Sequence, residues 1–75
     1  MIENQAGLEQ ARRQLQSMEE AVAELMRQAD TMHPSQLSLQ LEGPMEMIRQ
    51  LRGEIDEYLG IERAKALLSA GLQDP

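Results

Sequence analysis

The chain has 75 residues, a net charge of −6 and one aromatic residue, so it can form a single small domain with a marginal core. It contains no cysteine, which excludes disulfides and zinc–thiolate sites, and its one histidine, His33, cannot hold a metal ion alone. An acidic balance without a basic cluster argues against binding to nucleic acid or to an anionic membrane surface. A chain of this kind usually needs a partner subunit to complete its core.

The first predicted element is a long helix over about residues 5–32. Its apolar residues are spaced alternately by three and four positions, which is a heptad pattern and indicates one apolar stripe along the helix. The Gln, Glu and Arg residues between them favour helix formation and keep the other side in water. The stripe consists of Leu8, Ala11, Leu15, Met18, Val22, Leu25, Ala29 and Met32.

Pro34 predicts the end of this helix, because proline disfavours the helical conformation at the preceding residue, His33. We therefore expect a connector over residues 33–43. The pair Gly43-Pro44 indicates a break, and Pro44 suits the first turn of a new helix because its missing N–H group is not needed there.

Within the connector, three leucines alternate with polar residues, which is typical of a short strand at residues 37–42. The same leucines also fit helical spacing, and we favour a helical turn at this place. These leucines are Leu37, Leu39 and Leu41.

The second helix is predicted over residues 44–59, with one apolar face. Gly60 is a natural C-terminal stop for it, and residues 61–70 are then expected to form a short third helix. The apolar face of the second helix consists of Ile48, Leu51, Ile55 and Tyr58.

The polar residues form no recognisable catalytic or ligand-binding motif. His33 is the only imidazole that can activate a serine, and it lies in the predicted connector with no acid placed to orient it. Carboxylates are plentiful, but a catalytic pair needs a pocket that separates the two pKa values, and acids on the outer faces of short helices have none. We therefore expect no catalytic residues, no cofactor and no metal ligands, and the chain is predicted not to be an enzyme.

One alternative function follows from the strand at residues 37–42. A strand there, followed by two helices, has the element order of a ribbon–helix–helix DNA-binding regulator, in which polar strand side chains enter the major groove. Here those side chains are Ser38, Gln40 and Glu42. Without Arg or Lys among them, and with a carboxylate facing phosphates, DNA binding is electrostatically unfavourable.

The segment LRGEIDEY at residues 51–58 resembles the L-x-x-E-I-x-x-Y segment in the N-terminal helical region of antitoxin-like, XRE-type helix-turn-helix transcriptional regulators. The opening residues 1–4 and the His33-Pro34 connector are also similar to that region. The resemblance implies helix-mediated dimerisation or contact with a partner protein such as a toxin, with Glu54 at the edge of the contact and able to pair with an arginine. The 75 residues leave no room for the helix-turn-helix domain, so the resemblance does not imply DNA reading.

The predicted fold is all-α: an antiparallel helical hairpin with a short third helix, forming one domain over residues 1–75. A hairpin leaves one side of each helix open, so we expect a homodimer that completes a helical bundle. The predicted helix-packing or interface residues are Leu8, Leu15, Met18, Val22, Leu25, Met32, Ile48, Leu51, Ile55 and Tyr58.

The predicted function is that of a non-enzymatic helical protein–protein interaction module, dimerising and antitoxin-like or regulatory. A second alternative is a small acidic inhibitor or adaptor protein from a mobile element, since an acidic surface suits a basic target. No secretory signal and no apolar run long enough to span a bilayer is visible, so we expect a cytoplasmic protein without a membrane partner.

Overall fold

The structure, a computed structural model, describes residues 1–73, with side chains through Ala70. Three elements follow one another: α1 over Gln5–Arg27, a single 3₁₀ turn over Ala29–Thr31, and α2 over Pro34–Gln73. No strand occurs among the described residues. The prediction of an all-α fold is therefore confirmed at the level of fold class.

The start of α1 is set by Asn4, whose backbone is extended and whose side-chain Oδ1 accepts a hydrogen bond of 2.8 Å from the N–H of Gly7. This N-cap satisfies one of the backbone donors that a helix leaves open at its start. The helix ends at Arg27, so the predicted end at residue 32 was wrong. The hydroxyl of Thr31 donates to the carbonyl oxygen of Gln28 at 2.9 Å, and this local bond stabilises a tight turn in place of further α-helix.

Pro34 is the first residue of α2, and α1 has already ended at Arg27. It occupies the first helical position, where the missing N–H costs nothing, and Nδ1 of His33 accepts a hydrogen bond of 3.2 Å from the N–H of Ser35. The connector is therefore residues 28–33, and the predicted connector at 33–43 was wrong. The strand considered at 37–42 was also wrong, because this stretch is α-helical.

The helix α2 continues through both of its predicted breaks. Pro44 lies inside it, and Gly60 does not adopt the positive φ that a C-terminal glycine cap uses. An interior proline removes one backbone hydrogen bond and crowds the carbonyl of residue i−4, which costs about 3 kcal/mol. Half-buried or buried apolar residues lie on the same helix face on either side of Pro44, and their packing offsets this cost. Residues 44–59 and 61–70 are thus parts of one helix, and the separate third helix was a wrong prediction.

The two helices pack against each other along part of their length. Leu8 and Ala11 of α1 share a buried cluster with Leu51, Ile55 and Tyr58 of α2, and Ile2 covers the end of this cluster. The helix lengths are unequal, 23 residues for α1 and 40 for α2, so the C-terminal part of α2 extends past the start of α1.

The molecule is a rod rather than a sphere. Its principal extents are 64 × 19 × 18 Å and its radius of gyration is 17.9 Å. A compact domain of this length would have a radius of gyration of about 11 Å. A rod made from two helices cannot surround its own apolar residues, and that property determines where the candidate site lies.

Candidate helix-docking surface

We name three regions of the rod by their coverage. The closed end comprises Leu8, Ala11, Leu51, Ile55 and Tyr58, which are between 3% and 7% exposed. The open seam is the continuation of the same stripe toward the connector. The overhang is residues 62–70 of α2, which extend past the first residues of the chain.

The closed end is well packed because a third piece of chain reaches it. Ile2 lies against the cluster, as do the neighbouring Leu15 and Met18 of α1. Together with Met1, Ile2 lines a small cavity of about 150 Å³ beside Tyr58 and Ile61. Burying a side chain such as Leu51 from water contributes about 1.5–3 kcal/mol to folding. Burial at this end therefore stabilises the helix pair.

The open seam has the same residue pattern but only partial cover. Its α1 residues continue the heptad stripe, and the facing part of α2 carries two leucines on the matching face. All of these side chains are half-buried, although the sequence pattern is no weaker here. The seam consists of Leu15, Met18, Val22 and Leu25 on α1 with Leu37 and Leu41 on α2.

Charged side chains border this seam. Arg52 of α2 forms an ion pair of 3.2 Å with Glu19 of α1, which ties the two helices together across the surface. On α1, a hydrogen bond from the Arg27 guanidinium lowers the pKa of the Glu24 carboxyl, with smaller contributions from Gln28 and from the charge of Arg27. Exposed ion pairs of this kind add little stability but fix a charged rim around an apolar strip.

The overhang presents apolar side chains to water. Leu67 is 64% exposed and Leu68 is 68% exposed, and within the described part of the chain no other element packs against them. On the side that would continue the α1-facing stripe, the overhang instead carries an ion pair of 3.7 Å between Glu62 and Lys65. The stripe that faces α1 therefore stops at Tyr58.

The predicted interface residues fall into two groups. Leu8, Ile48, Leu51, Ile55 and Tyr58 are buried between the helices. The others are half-buried. These are Leu15, Met18, Val22 and Leu25 in the open seam and Met32 in the connector.

Two contributors to the site were missed by sequence reasoning. Ile2 precedes the helix and lies outside its heptad, so periodicity gave no signal for its packing on the closed end. The Arg52–Glu19 pair joins residues far apart in sequence, and nothing local indicates it. Glu54, which the family resemblance places at the edge of a contact, lines the cavity beside Met1 and Ile2.

The described part of the chain holds no group of three or more His, Cys, Asp or Glu side chains arranged to bind a metal ion. No described helix combines the length and the apolar character needed to cross a bilayer. Comparison with family models, with curated proteins and with solved structures found no match to this chain.

Proposed function

We propose that this chain is a non-enzymatic helical protein–protein interaction module whose open seam receives a helix from a partner. The observation that carries the proposal is the half-buried state of Leu15, Met18, Val22 and Leu25, which follow the same heptad as the buried residues of the closed end. An amphipathic helix laid along two others is a recurrent mode of recognition, with anchors at helical spacing.

The exposed area of the whole chain supports association. The chain exposes 5938 Å². A compact monomer of the same mass would expose about 4,650 Å². The excess of about 1,300 Å² is larger than the roughly 800 Å² that each partner buries in a typical stable interface. The proposal therefore includes a homodimer, in which two helix pairs form a four-helix assembly.

A regulatory or antitoxin-like role fits this arrangement. The resemblance of residues 51–58 to the helical region of antitoxin-like regulators points to dimerisation and to a protein partner such as a toxin. In the structure, Leu51, Ile55 and Tyr58 of that segment form the core of the closed end. In this proposal, the segment holds the two helices together beside the seam.

The charge distribution supports a related second candidate, a small acidic inhibitor or adaptor. Residues 1–60 carry eleven acidic against five basic side chains, a net charge of −6, and residues 61–70 carry two basic against one acidic, a net charge of +1. An acidic body steers association toward a basic partner surface and makes the association rate depend on salt. Under this candidate, raising the ionic strength slows binding to the partner several-fold.

Light scattering across a dilution series, with circular dichroism on the same samples, tests the dimer. We expect the mass of two chains at high concentration and a loss of helicity as the dimer dissociates. A monomer that keeps its full helicity at every concentration would refute the dimer.

Affinity capture from the native host with matched baits tests the seam. Val22→Glu places a charge in the open seam, and Ala23→Glu adds the same charge on the exposed side of α1. We expect one protein to be retained by the unaltered chain and by Ala23→Glu and to be lost by Val22→Glu. Equal retention by both variants would show that the seam is not the docking surface.

A further inference from the structure

The side of α2 that is turned away from α1 carries a pattern of its own. A line of residues spaced by seven runs along this side, at about half a turn around the helix from Leu51 and Ile55. We call this line, with the neighbouring Ala64 and Leu68, the outer face. The line consists of Leu39, Glu46, Gly53, Gly60 and Leu67.

The two ends of the outer face are its most apolar parts. Leu39 is 71% exposed, and Leu67 and Leu68 are 64% and 68% exposed. Leu39 lies fourteen residues before Gly53 and Leu67 lies fourteen residues after it. At 1.5 Å per residue, both leucines are about 21 Å from Gly53 along the helix.

This symmetry has a direct geometric consequence. If a second copy of α2 lies antiparallel along the first, with the two-fold axis at Gly53, Leu39 of each copy meets Leu67 of the other. The contact then forms twice, as in any isologous interface. Leu39 lies in a shallow groove of about 460 Å³ that can receive the leucines of the second overhang, and its lining is Ser35, Ser38, Leu39, Leu41, Glu42 and Met45.

The charges favour the antiparallel orientation over the parallel one. In the antiparallel register, Arg49 lies level with Asp56 and Glu57 of the second copy, and Arg63 lies beside Glu42 of the second copy. A parallel, in-register pair would bring Glu46, which lies on the line itself, against Glu46 of the second copy and so juxtapose like charges. Opposite charges flanking an apolar line select the orientation of paired helices.

The middle of the outer face permits close approach. A Cβ atom added at Gly53 or Gly60 would meet no atom within 4 Å, so this part of α2 is open to a neighbour. The overhang is net positive while residues 1–60 are net negative. The register about Gly53 places each overhang on residues 36–44 of the other copy, which contain Glu42 and no basic residue, so this contact is electrostatically favourable.

We propose that the outer face of α2 is a self-association surface that pairs two copies antiparallel about Gly53, with Leu39 of one copy against Leu67 and Leu68 of the other. The inference rests on the dimer of the proposed function and adds its face, its register and its orientation. The groove shares Leu41 with the open seam, and the α1 residues of the seam, Leu15 to Leu25, stay free for a different partner.

Disulfide trapping tests the register directly, because the chain has no cysteine of its own. Leu39→Cys and Leu67→Cys are made in separate proteins, which are oxidised alone and after mixing. The antiparallel register predicts a cross-linked dimer in the mixture and none in either protein alone, since two copies of the same position lie about 42 Å apart. Cross-linking of Leu39→Cys with itself would overturn the orientation.

A pair of charge variants tests the face. Leu67→Glu places a carboxylate on the outer face, and Ser69→Glu adds the same charge on the other side of the overhang. We expect Leu67→Glu to raise the dimer dissociation constant by at least about tenfold, because the leucine is buried at two symmetric contacts. Ser69→Glu should leave it within about twofold. Both positions are exposed in the monomer, so circular dichroism of the two variants should match the unaltered chain.

The outcomes separate this inference from the proposed function. If Val22→Glu abolishes the dimer and Leu67→Glu does not, the chain dimerises through its seam, so the inference fails and the dimer stands. A dimer by light scattering with no trapped cross-link in the mixture also overturns the inference alone. A monomer at every concentration overturns the dimer and the inference together.

Discussion

The closed end and the open seam are built from the same heptad and differ in what covers them. At the closed end, Leu8 and Ala11 are covered by three residues of α2 and by Ile2, and they are 3% and 5% exposed. In the seam, Val22 and Leu25 occupy equivalent heptad positions but stay half-buried, and among the described residues Ile2 lies against the closed end. One heptad therefore gives full burial at one end of the rod and partial burial at the other, and the partly buried end is where a partner can add cover.

The largest expected effect comes from breaking the closed end. Leu51→Ala removes a side chain that is 4% exposed at the centre of the cluster. The lost burial and the cavity left behind should lower the free energy of unfolding by about 3 kcal/mol. Thermal or urea unfolding followed by circular dichroism measures this, and a loss below about 1 kcal/mol would contradict the packing of the cluster.

The same truncation in the open seam should cost much less. Leu25→Ala removes a side chain that is only partly buried, so we expect a loss of about 1 kcal/mol at low protein concentration. Equal losses for Leu25→Ala and Leu51→Ala would mean that the two regions do not differ. With a seam partner added, the cost of Leu25→Ala should rise toward that of the closed end.

The N-cap of α1 lies next to the closed end and can be removed by one substitution. Asn4→Ala removes the side-chain oxygen that accepts a hydrogen bond of 2.8 Å from Gly7. Loss of an N-cap usually costs about 1 kcal/mol. Asn4→Asp, which keeps an acceptor, should restore stability, and a failure to do so would assign the effect to something other than the cap.

The smallest expected effect is the pH dependence at the rim of the seam. Hydrogen bonding to Arg27 lowers the pKa of Glu24 in the folded chain, so its contribution is present above the ordinary glutamate pKa and is lost as the pH falls through the lowered value. Because the pair is exposed, the effect should be small and should shrink further in high salt. Stability measured across the acidic range should fall slightly less for Glu24→Gln than for the unaltered chain, and a steeper fall for Glu24→Gln would contradict the assignment.

The spacing of apolar residues predicted the buried helix faces correctly, whereas glycine and proline predicted helix breaks that do not occur. The stripe from Leu8 to Leu25 and the face from Ile48 to Tyr58 lie where their spacing places them, because burial of an apolar face decides which side of a helix turns inward. Gly43-Pro44 and Gly60 predicted breaks that do not occur. Pro44 costs a helix about 3 kcal/mol, and the apolar packing of α2 on both sides of it offsets this cost. Gly60 costs about 1 kcal/mol, and the helix-forming residues Ala64, Lys65 and Ala66 follow it.

Only part of the candidate site could be predicted from the sequence. The stripe residues were identifiable, but which of them stay half-open depends on Ile2 covering one end and on the connector ending at His33. The outer face of α2 became visible only when residues 34–73 proved to be one helix. With a break at Gly60, Leu39 and Leu67 would lie on separate elements with no common register.

By itself, the sequence determined that this protein is helical, that α1 has one apolar side, and that no disulfide supports its core. These properties follow from residue type and spacing alone, which act over one or two helical turns. The tertiary structure decided the continuity of α2, the unequal cover of a uniform stripe, and the exposure of Leu67 and Leu68 beyond α1. Each of these depends on contacts between parts of the chain that are distant in sequence. A local residue pattern cannot predict such contacts.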